Sequence, residues 1–161
     1  MDPAASPDPC PSGTLALGGQ SICTVCPPGS YCPSTSSPIV YPCAPGTYTT
    51  GGEASCNICP AGYECPYTDI DVRIPCIPGT YSTGGQSNCT LCRAGFSCNT
   101  VGTVITPCPS GSYAEPGDGQ CTACPAGHYC PTTDAADVRT CSLGTYSVGG
   151  QRYCTPCPGG R

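Results

Sequence analysis

The chain is 161 residues long, with 19 cysteines, 22 glycines, 21 prolines, a formal charge of −5, five arginines and no lysine. That much cysteine makes a disulfide scaffold the default reading, and 19 residues of Leu, Ile, Val and Phe are too few to offset chain entropy in a single globular core. The dispersed acidic balance excludes the basic footprint of a nucleic-acid binder and a basic patch for anionic lipid, and no run approaches the roughly 20 apolar residues that span a bilayer.

Residues 1–9 (MDPAASPDP) read as a Pro/Ala/Asp linker. They have neither the basic n-region nor the apolar h-region of a signal peptide, so the sequence reads as a mature chain or a fragment. At Cys10 the spacing C-x12-C-x2-C-x5-C begins; it recurs at Cys43, Cys76 and Cys108 and restarts at Cys141. The chain therefore divides into repeat one (10–42), repeat two (43–75), repeat three (76–107), repeat four (108–140) and a truncated repeat five (141–161). The period is 33, with one residue missing from the last loop of repeat three. The four cysteines of each repeat are termed a, b, c and d in order. In repeat five d would fall two residues past Arg161, so the odd count of cysteines reads as a cut through a repeat that leaves Cys157 unpaired.

Each repeat has two halves. The first opens C-x-x-G-[ST]-Y, as in CAPGTY at Cys43 and CPSGSY at Cys108, with Leu15 in the aromatic position of repeat one. The glycine suits a turn of positive φ, and the aromatic ring can cover the nearest disulfide. A Gly pair follows (Gly18-Gly19, Gly51-Gly52, Gly84-Gly85, Gly149-Gly150; residues 115–119, EPGDG, in repeat four) and predicts the closing turn of a small two-stranded hairpin. The second half opens at c with CPPGSYC, CPAGYEC, CRAGFSC and CPAGHYC. After d, Ile39-Val40, Val72 with Ile74, Val104-Ile105 and Val138 predict one short extended segment, and no helical period appears. The expected fold is small and disulfide-rich: an elongated tandem array of short β-hairpin cysteine-rich repeats with little helix, in which each repeat touches only its neighbours and aromatic rings pack on the disulfides.

The disulfide cysteines are Cys10, Cys23, Cys26 and Cys32; Cys43, Cys56, Cys59 and Cys65; Cys76, Cys89, Cys92 and Cys98; Cys108, Cys121, Cys124 and Cys130; and Cys141 with Cys154. Four cysteines allow three pairings within a repeat. Pairing a–b and c–d closes the hairpin and the small turn and is favoured. Pairing a–c with b–d, or b–c with d joined to the next a, stays open. A bridge closing about 15 residues stabilises by roughly 3 kcal/mol in the chain-entropy picture, so covalent links should dominate folding.

The pattern C-P-x-G-T-Y-x-x-G-G-x-x-x-C-x-x-C-P-A-G-x-Y-C-P resembles the ephrin-receptor-like cysteine-rich repeat, and its first half is similar to tumour necrosis factor receptor-like modules. The resemblance covers residues 10–161, with Asn99 in repeat three departing from the Pro that follows d elsewhere. It implies one of two settings: a receptor ectodomain, or a large surface or secreted protein of the kind found in algae and protists. Some of the latter resemble components of flagellar hairs (mastigonemes) and cell coats. Constant spacing and short loops fit a spacer or filament better than a ligand-binding receptor.

Other chemistry is sparse. Five CxxC pairs invite zinc, but with one histidine, His128, in a turn position held elsewhere by Tyr63 and Phe96, disulfides are preferred and no metal is assigned. Asp69 with Asp71, and Asp134 with Asp137, read as solvated loop acids rather than calcium ligands. No catalytic pair recurs, so no enzyme and no cofactor are expected. Asn88-Cys89-Thr90 fits the N-glycosylation rule, and residues 33–38 (PSTSSP) and 100–107 (TVGTVITP) could carry O-linked sugar. Exposed tyrosines leave tyrosine coupling open. The expectation is a secreted or cell-surface, non-enzymatic structural glycoprotein. Its partners would be copies of itself or other matrix and coat proteins, with covalent glycans, no nucleic acid and no membrane insertion in this segment. A ligand-binding receptor fragment is the alternative.

Overall fold

The structure, a computed structural model, describes residues 10–16, 22–33, 39–98 and 105–159. The leader, the Gly18-Gly19 pair, Asn99, Val104 and most of the two Ser/Thr clusters lie outside the described residues. The remainder is a tandem series of nine antiparallel hairpins, each of two strands only two or three residues long, with a single 3-10 turn at Ala135–Asp137. No described helix is long and apolar enough to cross a membrane. Two compact units form, Met1–Ile74 with Gly84–Asn88, and Pro75–Thr83 with Cys89–Arg161. The division runs through repeat three, whose Gly84–Asn88 tip belongs with the first unit while its strands belong with the second.

Both halves of a repeat are built from one local design. In the first half the N–H four residues after a donates to the carbonyl one residue after a, as from Thr47 to Ala44 at 3.0 Å and Thr145 to Ser142 at 3.0 Å. This turn needs the positive φ of its glycine, 82° at Gly46. The Thr-Tyr pair that follows suits a pleated strand, and Thr47–Tyr48 pairs with Asn57–Ile58. The N–H of c then closes the hairpin on the turn glycine, Cys59 donating to the Gly46 carbonyl at 2.9 Å. In the second half Tyr63 N–H donates to Pro60 at 3.2 Å in the same way. The extended segment expected after d is the partner strand here: Ser30–Tyr31 pairs with Tyr41–Pro42 and His128–Tyr129 with Arg139–Thr140. The N–H of the next a closes on the glycine, Cys43 on Gly29 at 2.8 Å and Cys141 on Gly127 at 2.9 Å.

Two expectations change. The Gly pair is not the closing turn of a hairpin. In repeat two the strands end at Tyr48 and resume at Asn57, and the pair sits midway along the connection, reaching to the preceding repeat. A disulfide already joins the two arms, so the connection need not be tight. Aromatic rings do not form the core either. Among the described residues the buried apolar ones are Leu15, Ala114 and cysteines, while every described ring is half-buried or exposed. Leu15, in the aromatic position of repeat one, is buried with Cys26 and Cys32. Between repeats, backbone meets backbone at Gly13, Gly46, Gly79 and Gly111.

Two-residue strands have no stability of their own, so the fold depends on whether successive repeats can approach. A Cβ on Gly46 would run into the Gly85 carbonyl, whereas nothing lies within 4 Å of one on Gly144, which has the same φ of 82°. Left-handed strain alone costs roughly 1–2 kcal/mol. In dilute protein Gly46→Ala should therefore speed amide exchange at Gly85 and Cys65 by about a hundredfold or more, while Gly144→Ala gives only the tenfold or so that strain supplies at its own turn. Equal effects would show that φ, not close approach, fixes the glycine.

Candidate functional site

The chemistry-bearing arrangement that recurs through the chain is the seam between repeats, with the disulfides behind it. Bridges join a to b and c to d throughout: Cys10–Cys23, Cys26–Cys32, Cys43–Cys56, Cys59–Cys65, Cys76–Cys89, Cys92–Cys98, Cys108–Cys121, Cys124–Cys130 and Cys141–Cys154. Cys157 is free and exposed. All eight c and d cysteines of repeats one to four are 2% exposed or less. The b cysteines lie nearer solvent, Cys23 being exposed and the others half-buried.

Over each c–d bridge the next repeat lays its tip. The tip glycine nine residues after a donates to the carbonyl of c: Gly52 to Cys26 at 2.8 Å, Gly85 to Cys59 at 2.8 Å, Gly117 to Cys92 at 2.9 Å and Gly150 to Cys124 at 2.7 Å. The N–H of d donates to the residue beyond, Cys32 to Glu53, Cys65 to Gln86 and Cys130 to Gln151, at 3.0–3.1 Å. The second-half turn glycine adds a third bond, Gly29 to Thr49 at 3.2 Å, Gly95 to Ala114 at 3.0 Å and Gly127 to Ser147 at 2.9 Å. Each seam is thus closed by main-chain groups, whose pairing is obligatory once they are buried. It makes little demand on side-chain identity beyond smallness.

Two positions take part to which the sequence reading gave no role, the Ser/Thr of the C-x-x-G-[ST]-Y motif and the residue after its aromatic. The Ser or Thr after the first-half glycine turns its hydroxyl back to the carbonyl that the turn already uses. Thr14 reaches Pro11, Thr47 reaches Ala44, Thr80 reaches Ile77, Ser112 reaches Pro109 and Thr145 reaches Ser142, all at 2.7–2.8 Å. The residue after the aromatic faces the seam: Thr49, Ser82, Ala114 and Ser147 are buried, and the Thr49 hydroxyl donates to Ser30 of the preceding repeat at 3.0 Å. The signal was present as an unbroken column of Ser/Thr and a column of small residues across five repeats.

The other candidates are placed as follows. Asn88 is exposed on the tip of repeat three, its amide within 3.3 Å of the Ser87 hydroxyl. Cys89 is bridged to Cys76, and Thr90 lies on the strand paired with Tyr81. His128 begins a second-half strand with Nδ1 3.2 Å from the Ala126 carbonyl. Asp71 pairs with Arg73 at 2.9 Å, Asp134 caps the 3-10 turn by accepting from Ala136 N–H at 3.0 Å, and Asp137 pairs with Arg139 at 2.7 Å. Burial and the nearby Asp71 carboxylate push the Tyr48 phenol above its ordinary range. Among the described residues no three His, Cys, Asp or Glu side chains are grouped to hold a metal. An open groove of about 410 Å³ gathers Ser110, Thr132, Thr133 and Arg152 without a nucleophile–base pair. No protein-family model matches the chain, and no curated protein matches it in sequence.

Thiol–disulfide exchange needs access to a sulfur. Limited reduction followed by alkylation and peptide mass mapping should therefore open Cys10–Cys23 first and the c–d bridges last. Early loss of c–d bridges would mean that the tips do not cover them. The loop at Asp137 gives a pH prediction. Hydrogen bonds from Arg139 and then Thr132 hold its carboxyl below the usual aspartate range. The pairing is then complete above the ordinary value near 4 and is lost only as pH falls through the lowered one. Carbon-13 titration of the Asp137 carboxyl should show no protonation at pH 5, and Arg139→Gln should move its midpoint upward.

Proposed function

We propose that the chain is a non-enzymatic structural segment of an extracellular fibre, flagellar hair or surface coat, carrying sugar and assembling with copies of itself. Its nine disulfides make it a secreted-type, non-cytoplasmic protein. The observation that carries the reading is the sameness of the four seams. The same main-chain contact recurs from repeat to repeat, whatever the side chains, and a bridged hairpin stands behind each one. Such a device transmits geometry along a chain and can be extended by adding repeats. A receptor that varies its loops for a ligand would vary the tips, yet twelve residues separate a from b in all five repeats.

The resemblance to ephrin-receptor-like repeats supports a surface setting, and the exposed sequon at Asn88 supports glycan attachment. Val25, Ile58 and Leu91, the residues before c in the first three repeats, each remain more than 60% exposed and so offer an apolar side chain once per repeat for contact with a neighbour.

Electron microscopy of unreduced native material, with intact mass on the same sample, tests the reading. Regular fibres whose mass exceeds the polypeptide in sugar-sized steps are expected. Discrete monomers at bare polypeptide mass would sink it and turn attention to a protein ligand.

A further inference from the structure

Two of the four described arginines are neutralised in place, Arg73 by Asp71 and Arg139 by Asp137, and a third, Arg93, lies over the Phe96 ring at 4.0 Å. Arg152, on the tip of repeat five, is placed differently. Its Nε–H donates to the Pro131 carbonyl of repeat four at 3.0 Å, and among the described residues no carboxylate pairs with it. That bond holds the guanidinium at the open groove of about 410 Å³ that Ser110, Gly111, Thr132 and Thr133 also line. All of these residues lie in one compact unit. The groove belongs to the seam rather than to repeat five. At the seam of repeats three and four the same positions (two residues after a, d itself, and eleven residues after the next a) are Pro78, Cys98 and Gly119, and they line an open groove of about 510 Å³. Repeat four has its second half there, and no residue of that half lines the groove. What the tip of repeat five adds is the arginine.

We propose that this groove binds an acidic sugar unit, with Arg152 holding its carboxylate or sulfate. The inference stands apart from the fibre reading, since it needs no second copy of the chain. A guanidinium whose Nε–H is already engaged keeps its two terminal amino groups for an oxyanion, and the fork they form matches a carboxylate or sulfate. The walls then select what carries the anion. Thr132 gives its hydroxyl proton to Asp137 at 2.9 Å and so presents an acceptor, while Asp137 itself is answered by Arg139. Ser110 is exposed, and its hydroxyl can both donate and accept. Such a lining suits the hydroxyl edges of a saccharide and offers no large apolar side chain to anchor a peptide. The volume is that of a site for a small organic molecule, so a bare inorganic anion would fill little of it. In a chain of formal charge −5, a single arginine implies millimolar affinity.

The test titrates the full oxidised, nitrogen-15-labelled chain with sodium glucuronate and with glucose 6-sulfate, using glucose and sodium sulfate as the neutral and bare-anion controls. Both acidic sugars should move the amides of Gly111, Thr132 and Thr133 and the Arg152 Nε–H resonance along saturable curves. Ser97 and Cys98, at the groove where Gly119 replaces the arginine, should stay still. Glucose should bind about tenfold more weakly or worse, and Arg152→Gln should cost the acidic sugars about the same factor. Arg152→Lys should fall between, because it keeps the charge and loses the fork. Rising salt should weaken binding to the unsubstituted chain, a readout that holds even if the variants loosen the tip. Sodium sulfate that reproduces the shifts at equal affinity overturns the sugar assignment. Absence of saturable shifts at tens of millimolar, or binding indifferent to both salt and Arg152→Gln, overturns the site.

Discussion

The close approach of a tip carbonyl to a turn glycine is the contact on which the rest of the structure depends. It occurs at Gly13, Gly46, Gly79 and Gly111, and at each of them a side chain would occupy the space of the neighbouring backbone. Because the two segments meet this closely, the tip N–H reaches the carbonyl of c, and the N–H of d reaches past the tip. In a protein with so little apolar surface, these main-chain bonds and the bridges beneath them replace the hydrophobic core that usually orders a chain of this length. Among the described residues the fully buried apolar groups are cysteine sulfurs, Ala114 and Leu15.

Bridges and seams divide the work. The a–b bridge ties together the ends of a long excursion, so that its middle is free to leave the hairpin and lie on the preceding repeat. The c–d bridge closes a short turn and forms the platform that receives the excursion. Neither suffices alone. Strands of two residues would not persist without the bridges, and within each compact unit bridged hairpins without seams would be beads with no fixed relation to the next. The Ser/Thr hydroxyl that returns to the turn carbonyl stiffens the turn against which the tip rests.

The loops after d add a second rhythm. Repeats two and four share Thr-Asp and Asp-Val-Arg in this loop, with Asp71 and Arg73 recurring as Asp137 and Arg139. In both, the loop returns to its own first half, Thr68 accepting from Thr49 N–H at 2.9 Å and Thr133 from Ala114 N–H at 3.2 Å. It also crosses the second-half turn of the repeat before, Thr68 and Asp69 over Gly29 and Thr133 over Gly95. Alternate repeats therefore carry a folded, ion-paired loop, while the loops between them carry the Ser/Thr clusters.

Cysteine spacing, glycine placement and scarce apolar residues determined, by themselves, a disulfide-rich array of short hairpins with almost no helix. These are local constraints: a C-x-x-G turn and a Thr-Tyr strand are set by the residues within them, and a strict period copies them along the chain. The sequence also exposed the loops' acids and the Asn88 sequon. Only the tertiary structure decided what the Gly pairs, the Ser/Thr column and the small residue after the aromatic are for. A glycine required by φ and one required by a neighbouring carbonyl read alike in one dimension, and here Gly46 is both. The bridging pattern was likewise open at the level of spacing, because three pairings satisfy the same chain lengths. It follows from which sulfurs the turns bring within reach, Cys43 to Cys56 and Cys59 to Cys65 with Cα atoms 5.8 Å apart in each case.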